Sequence, residues 1–153
     1  MSTAEMKRIA RRIPAELSKG NIKVLDELAA PDGVDHSASE VISRGPEGMK
    51  KALSDLMQAF RDLRYKLEDE IVEGDLVVQR TTASGTMKGP WMGMQPTGRK
   101  ASWTEIHTLR FRDGKFVEHW ANIDFATMMM QLGLVAMPAP QAQAMMAEPA
   151  GGR

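Results

Sequence analysis

The stretch ASWTEIHTLRFRDGKFVEHWANID, residues 101–124, decides the fold. Large and polar side chains alternate with a period of two on both sides of RDGK, as in strands. Asp113-Gly114 at the centre of RDGK is the strongest short signal for a tight hairpin. Setting Arg112 opposite Lys115 places Phe111 against Phe116, Leu109 against Glu118, His107 against Trp120 and Trp103 against Asp124. Cross-strand partners share a face, and so do alternate residues. One face is then expected to carry Trp103, Glu105, His107, Leu109 and Phe111 with Phe116, Glu118, Trp120, Asn122 and Asp124. The other carries Ile106, Thr108, Arg110, Val117, His119, Ala121 and Ile123. The aromatic residues mark the first face as the inner one. Large apolar walls with a few convergent polar groups make a ligand pocket. A β-bulge would flip part of this assignment, and curved sheets commonly contain them.

Upstream, LRYKLEDEIVEGDLVVQRTTASGTM predicts two more strands joined at Glu73-Gly74-Asp75, with Tyr65, Leu67 and Ile71 on one face. Residues 88–98, rich in Gly and Pro, read as a loop that carries Trp91, Met92 and Met94 and is placed to act as a lid. Before the strands, residues 3–19 have helical spacing, with Ser2 as cap and Pro14 as an expected kink. A short helix follows Asn21 and stops at Pro31. DGVDHSASE reads as a loop, and a third helix opens at Pro46. FATMMMQLG makes a short closing helix. Segregated helices and strands predict an α+β fold, helices on one face of a curved antiparallel sheet in a cone. One domain is expected over residues 1–134, with a flexible tail over 135–153.

The chain's 153 residues suffice for a single core, and its 20 basic and 20 acidic residues cancel. That balance gives no reason to expect nucleic acid or an anionic membrane as partner. With no cysteine there is no disulfide and no thiolate chemistry. No signal-peptide pattern and no run of about 18 apolar residues is present, so the expected location is the cytoplasm. The three histidines have no metal-ligand spacing, and no metal is expected. Thirteen methionines suit either a padded core or a pliable apolar cavity.

Asp124 is the sharpest catalytic candidate. It ends a strand beside Met128, Met129 and Met130, where apolar surroundings would raise its pKa toward neutrality. Its competing reading is the N-cap of the last helix. His107 is either a group that orients or protonates a substrate oxygen or a hydrogen-bonded core histidine. His36 is either solvated or part of the pocket rim, and Asn122 is expected to face inward beside Trp120. Trp91, Met92, Met94, Trp103, Trp120 and Met128 are the expected substrate-binding walls.

The pieces EGDLVVQR, RFRDGKFVEHW with the following Asp124, QLG, and VDH before GPEGMKK resemble the SnoaL-like polyketide cyclase family, within the nuclear-transport-factor-like fold. The resemblance covers roughly residues 3–134. It implies a cone-shaped α+β barrel, often dimeric, that works without metal or organic cofactor. It implies an acid/base aspartate at Asp124 for aldol closure of a polyketide ester, helped by His107, Asn122 or His36. It also implies a homodimer through the outer sheet face, with Ile106, Thr108, His119, Ala121 and Ile123 at the contact. Two other readings stand beside it: an epoxide hydrolase-like site using Glu105 and Arg80, and a non-enzymatic carrier of small hydrophobic molecules.

Overall fold

The computed structural model describes residues 1–37 and 43–136. The expected tail beyond residue 136 lies outside the described residues. Four helices and six strands run in the order α1 (Thr3–Leu17), α2 (Val24–Leu28), β1 (Ala29–Asp35), β2 (Ser43–Arg44), α3 (Pro46–Ala59), β3 (Arg64–Glu73), β4 (Leu76–Thr86), β5 (Lys100–Arg112), β6 (Lys115–Ile123) and α4 (Phe125–Gln131). They build one sheet in the order β2-β1-β6-β5-β4-β3. All neighbours are antiparallel except β1 and β6, which are parallel. The α+β cone expected from the sequence is therefore present, with one mixed pair.

The helices form where the apolar spacing predicts. Ser2 Oγ accepts from the Glu5 amide and starts α1. Pro14 does not break this helix, which runs continuously to Leu17. Pro46 opens α3 at its first turn, where a missing N–H costs nothing. The segment read as a loop after Pro31 is instead β1, held by β6 on one side and β2 on the other. Its own residues, Ala29-Ala30-Pro31-Asp32-Gly33, have poor strand propensity, so pairing decides its conformation.

Two bulges set which side chains face inward. In the last hairpin, Arg112 pairs with Lys115 and Phe111 with Phe116 as expected. The register then shifts, and Arg110 pairs with Glu118, so Val117 is the extra residue. Beyond it β6 is turned over: His119, Ala121 and Ile123 share the inner face of His107 and Glu105, while Trp120 and Asn122 face out. A second bulge at Glu68 shifts β3, which points Val72 inward and leaves Ile71 65% exposed. The sequence reading had both strands in the opposite phase past these points.

Two apolar clusters fill the cone. One joins α1 and α2 to Val77, Leu109, Phe111 and Phe116. The other packs α4 through Met128 and Leu132 against Phe60, Met87 and Trp103. Burying Met128 and Leu132 completely contributes about 1.5–3 kcal/mol each, enough to hold this two-turn helix down. Residues 91–94 form a tight turn with both central residues at positive φ, Met92 at 49° and Gly93 at 75°. Trp91 and Met94 exchange backbone hydrogen bonds of 3.1 and 2.9 Å across it. Among the described residues no helix is long and apolar enough to cross a membrane.

Candidate active site

A cavity of about 900 Å³ lies between the sheet and the helices. Its roof is mostly apolar: Ile13 and Leu17 come from α1, and Met49, Leu53 and Leu56 from α3, which also brings Asp55 and Gln58. Trp91 and Met92 sit at its edge beside Phe125. The floor is polar and comes from one side of the sheet: Tyr65, Gln79, Thr81, Glu105, His107 and His119, with Asp35 at the end of β1. No lysine or arginine is among the described residues that line it.

The floor is organised as a chain of hydrogen bonds. Trp103 Nε1 donates to Glu105 Oε1 at 2.7 Å. Glu105 Oε2 lies 2.8 Å from His107 Nε2. His107 Nδ1 lies 3.0 Å from His119 Nε2, and His119 Nδ1 lies 2.9 Å from Asp35 Oδ1. Ser37 closes the far end, its amide donating to Asp35 at 3.0 Å and its hydroxyl to the same oxygen. Glu105, Asp35 and His119 are 3%, 5% and 8% exposed. Charges this deep are retained only when paired.

Proton counting constrains the chain. Three contacts join carboxylate, imidazole, imidazole and carboxylate, and each needs one proton. Two neutral imidazoles supply two, so the assembly holds one more. Burial pushes the Asp35 carboxyl up, but the His119 hydrogen bond and the Ser37 donors outweigh it and bring it down to about 2. Burial lowers His119, against the pull of Asp35. Asp35 is thus the anion and His119 the neutral Nδ1–H donor. The third proton rides between His107 Nε2 and Glu105 Oε2. Beside it, burial and then the charge of Glu105 push the Tyr65 phenol well up, so it stays a hydrogen-bond donor. All four ring nitrogens of the histidine pair are engaged. Among the described residues no cluster of His, Asp and Glu is arranged to hold a metal ion.

The residues singled out in the sequence divide. His107 is on the floor, and Trp91 and Met92 line the cavity. Trp103, Met94 and Met128 lie behind the wall in the second apolar cluster. Trp103 still reaches the site through Glu105. Asp124 is not a lining residue: it caps α4, its carboxylate accepting from the Thr127 amide at 3.0 Å. Those Thr127 hydrogen bonds lower its pKa, opposite to the shift expected of a base working near neutrality. Asn122 is exposed on the outer face. There too Trp120 stacks on His36, with centroids 4.7 Å apart and planes 5° apart. His36 Nε2 meets Glu118 at 3.1 Å, and Arg110 donates to the other oxygen of Glu118. Arg80 is bonded to Asp69 outside the cavity, so it does not join Glu105 in an epoxide-opening site. His119 and Asp35 were missed. The only trace of Asp35 in the sequence is its place in VDH, and the bulge hid His119.

Comparison with known proteins places this geometry. The profile of the SnoaL-like polyketide cyclase family matches residues 7–132. The aklanonic acid methyl ester cyclase DnrD of Streptomyces peucetius is 32% identical over 108 residues, covering 70% of this chain and 72% of that protein. The aklanonic acid methyl ester cyclase AcmA of Streptomyces galilaeus is 30% identical, covering 80% and 87%. Among solved structures, AclR of Streptomyces galilaeus, a proposed hydroxylase, superposes with a TM-score of 0.83 at 31% identity, covering 95% and 92%. TsrD of Streptomyces laurentii does so at 0.80 and 30%, covering 88% and 99%. The match spans almost the whole cone and every strand that builds the cavity floor, and the chain belongs to the SnoaL-like polyketide cyclase family.

Proposed function

We propose that this protein is a cofactor-free ring-closing enzyme acting on a hydrophobic carbonyl or ester substrate of the polyketide type. The observation that carries the proposal is the carboxylate–imidazole–imidazole–carboxylate chain on the floor of an apolar cavity. Glu105 is the base. Its Oε2 has a lone pair left after meeting His107, and it takes a proton from carbon next to the substrate carbonyl. The C–H electron pair becomes an enolate, whose oxygen the Tyr65 phenol stabilises, while His107 holds Glu105 in place. The enolate carbon attacks a second carbonyl carbon of the same molecule, one C–C bond forms, and the new alkoxide takes the proton back from Glu105. The product is an isomer of the substrate, so no oxidant or reductant is consumed. His119 and Asp35 hold His107 in the tautomer and orientation this requires.

The reading is tested with aklanonic acid methyl ester, the compound in the names of two relatives. The wild type is expected to close it to an isomer of equal mass. In deuterated water it is expected to exchange the proton on the carbon next to the carbonyl faster than buffer does. No exchange above buffer, or exchange undiminished in Glu105→Gln, overturns the assignment.

The proposal includes a homodimer through the outer face of the sheet. Ile71 and Ile106 are 65% and 45% exposed there, and Val78 lies between their strands. This face differs from the expected one, because the bulge takes His119, Ala121 and Ile123 out of it. Light scattering tests it: a monomer at micromolar concentration removes the dimer and leaves the chemistry untouched.

A further inference from the structure

Thr81 is 2% exposed and lines the cavity, and its hydroxyl has no hydrogen-bond partner among the described residues. It is the one such buried side-chain oxygen or nitrogen among them. The hydroxyl stands on β4 directly across from Glu105 on β5, while Gln79, two residues back, stands across from His107. Leaving a buried hydroxyl without a partner costs about 1–3 kcal/mol, which a valine of the same shape would avoid. Valine also suits a strand at least as well. The oxygen is therefore unexplained by the fold alone.

Its surroundings say what would satisfy it. The roof above is mostly apolar, and its polar members Asp55 and Gln58 give the hydroxyl no hydrogen bond, so a partner must come from whatever fills the cavity. Tyr65 lies on the same face one strand over, since Thr81 pairs with Leu67 and Ala83 with Tyr65. Thr81 is one of the residues that line the cavity, so a molecule bound there lies against this side chain.

We propose that the Thr81 hydroxyl forms a subsite for an uncharged ligand oxygen, a ring hydroxyl or ring carbonyl, beside Tyr65 on the β3–β4 side of the cavity. It rests on the reading of the cavity as a hydrophobic carbonyl site and adds a determinant of specificity to it. Glu105 and the Tyr65 phenol handle the reacting atoms. Thr81 reads a neighbouring substituent and fixes which way round the ligand lies. A hydroxyl both donates and accepts, so it takes a ring hydroxyl and a ring carbonyl alike. Charged oxygens are disfavoured, because Asp35 and Glu105 are on the floor and no lysine or arginine is among the described residues that line the cavity.

The probes are 2-naphthol and naphthalene, flat compounds that differ by one ring hydroxyl, the second having no oxygen to offer Thr81. Binding is read by quenching of tryptophan fluorescence, Trp91 being at the cavity wall. The wild type is expected to bind the hydroxylated probe more tightly by about fivefold, the worth of one net hydrogen bond. Thr81→Val is expected to erase that preference, and Thr81→Ser to keep most of it. Thr81→Val is also expected to melt at the wild-type temperature or above it, because it removes an unpaired hydroxyl. If Thr81→Val keeps the preference, the subsite is wrong while the cavity reading stands. If it keeps the preference and melts lower, Thr81 is a structural residue with an internal partner. If the wild type binds neither probe, the cavity reading and the subsite fall together.

Discussion

His107 and His119 lie with ring planes 15° apart and join Nδ1 to Nε2 at 3.0 Å, so neither imidazole can change its tautomer without the other. This coupling separates the role of Glu105 from that of His119. Glu105→Gln keeps an oxygen for Trp103 and an amide donor for His107, so the chain of hydrogen bonds survives without its base. Turnover is expected to fall by about 10²–10⁴, the usual worth of a positioned general base, with little change in melting temperature. His119→Gln leaves Glu105 in place but frees the ring of His107. It is expected to lower kcat with KM nearly constant and to move the acid limb of the kcat–pH profile. A melting-temperature drop with an unmoved limb would make His119 structural only.

The same chain predicts how stability depends on pH. His119 sits below its ordinary value in the folded protein, so the unfolded chain binds its proton first as pH falls below about 6.5. Stability is expected to decline on that side of neutrality. Asp35 is also depressed, from 3.8 to about 2, and its contribution is complete above the unfolded value and lost between about pH 4 and pH 2. The shift corresponds to roughly 2 kcal/mol. Urea midpoints at about pH 7, 5 and 3 check both. Asp35→Asn is expected to be less stable at neutral pH and to show a shallower loss at the acid end. Equal slopes in wild type and variant would mean that Asp35 is not held by His119.

What was legible in the sequence depended on whether local pattern or tertiary contact decided it. The Asp113-Gly114 turn and the inner face of β5 were legible, because turn chemistry and alternation are local. Trp103, Glu105 and His107 were accordingly placed correctly. The phase of β6 was not, because Val117 is an ordinary β-branched residue with nothing to mark it as an extra one. One inserted residue exchanged His119 for Trp120 and removed Asn122 from the interior. Asp35 was hidden for a different reason. Its strand contains Pro31 and Gly33 and exists only because β6 and β2 flank it.

Asp124 follows from that shift. Its carboxylate is held by Thr127 at the start of α4, outside the cavity lining. Asp124→Ala is expected to lower the melting temperature by a few degrees through loss of the cap, and Asp124→Asn, also a good cap, by less. Both should retain ring closure or proton exchange. Loss of turnover in Asp124→Asn with an unchanged melting temperature would instead return the acid/base role to this residue.

The outer face offers the last test, because it keeps dimerisation apart from catalysis. Ile106 projects outward between inward-facing Glu105 and His107, so a change there reaches the partner surface without entering the cavity. Ile106→Asp puts a charge where two apolar faces would meet, and an unpaired charge in such an interface is strongly disfavoured. It is expected to convert the dimer to a monomer in light scattering at micromolar concentration. Proton exchange should change less than about threefold, because every group in the hydrogen-bonded chain belongs to one protomer. If exchange collapses with the dimer, the partner copy completes the site. If the variant stays dimeric, the contact lies on another surface of the cone.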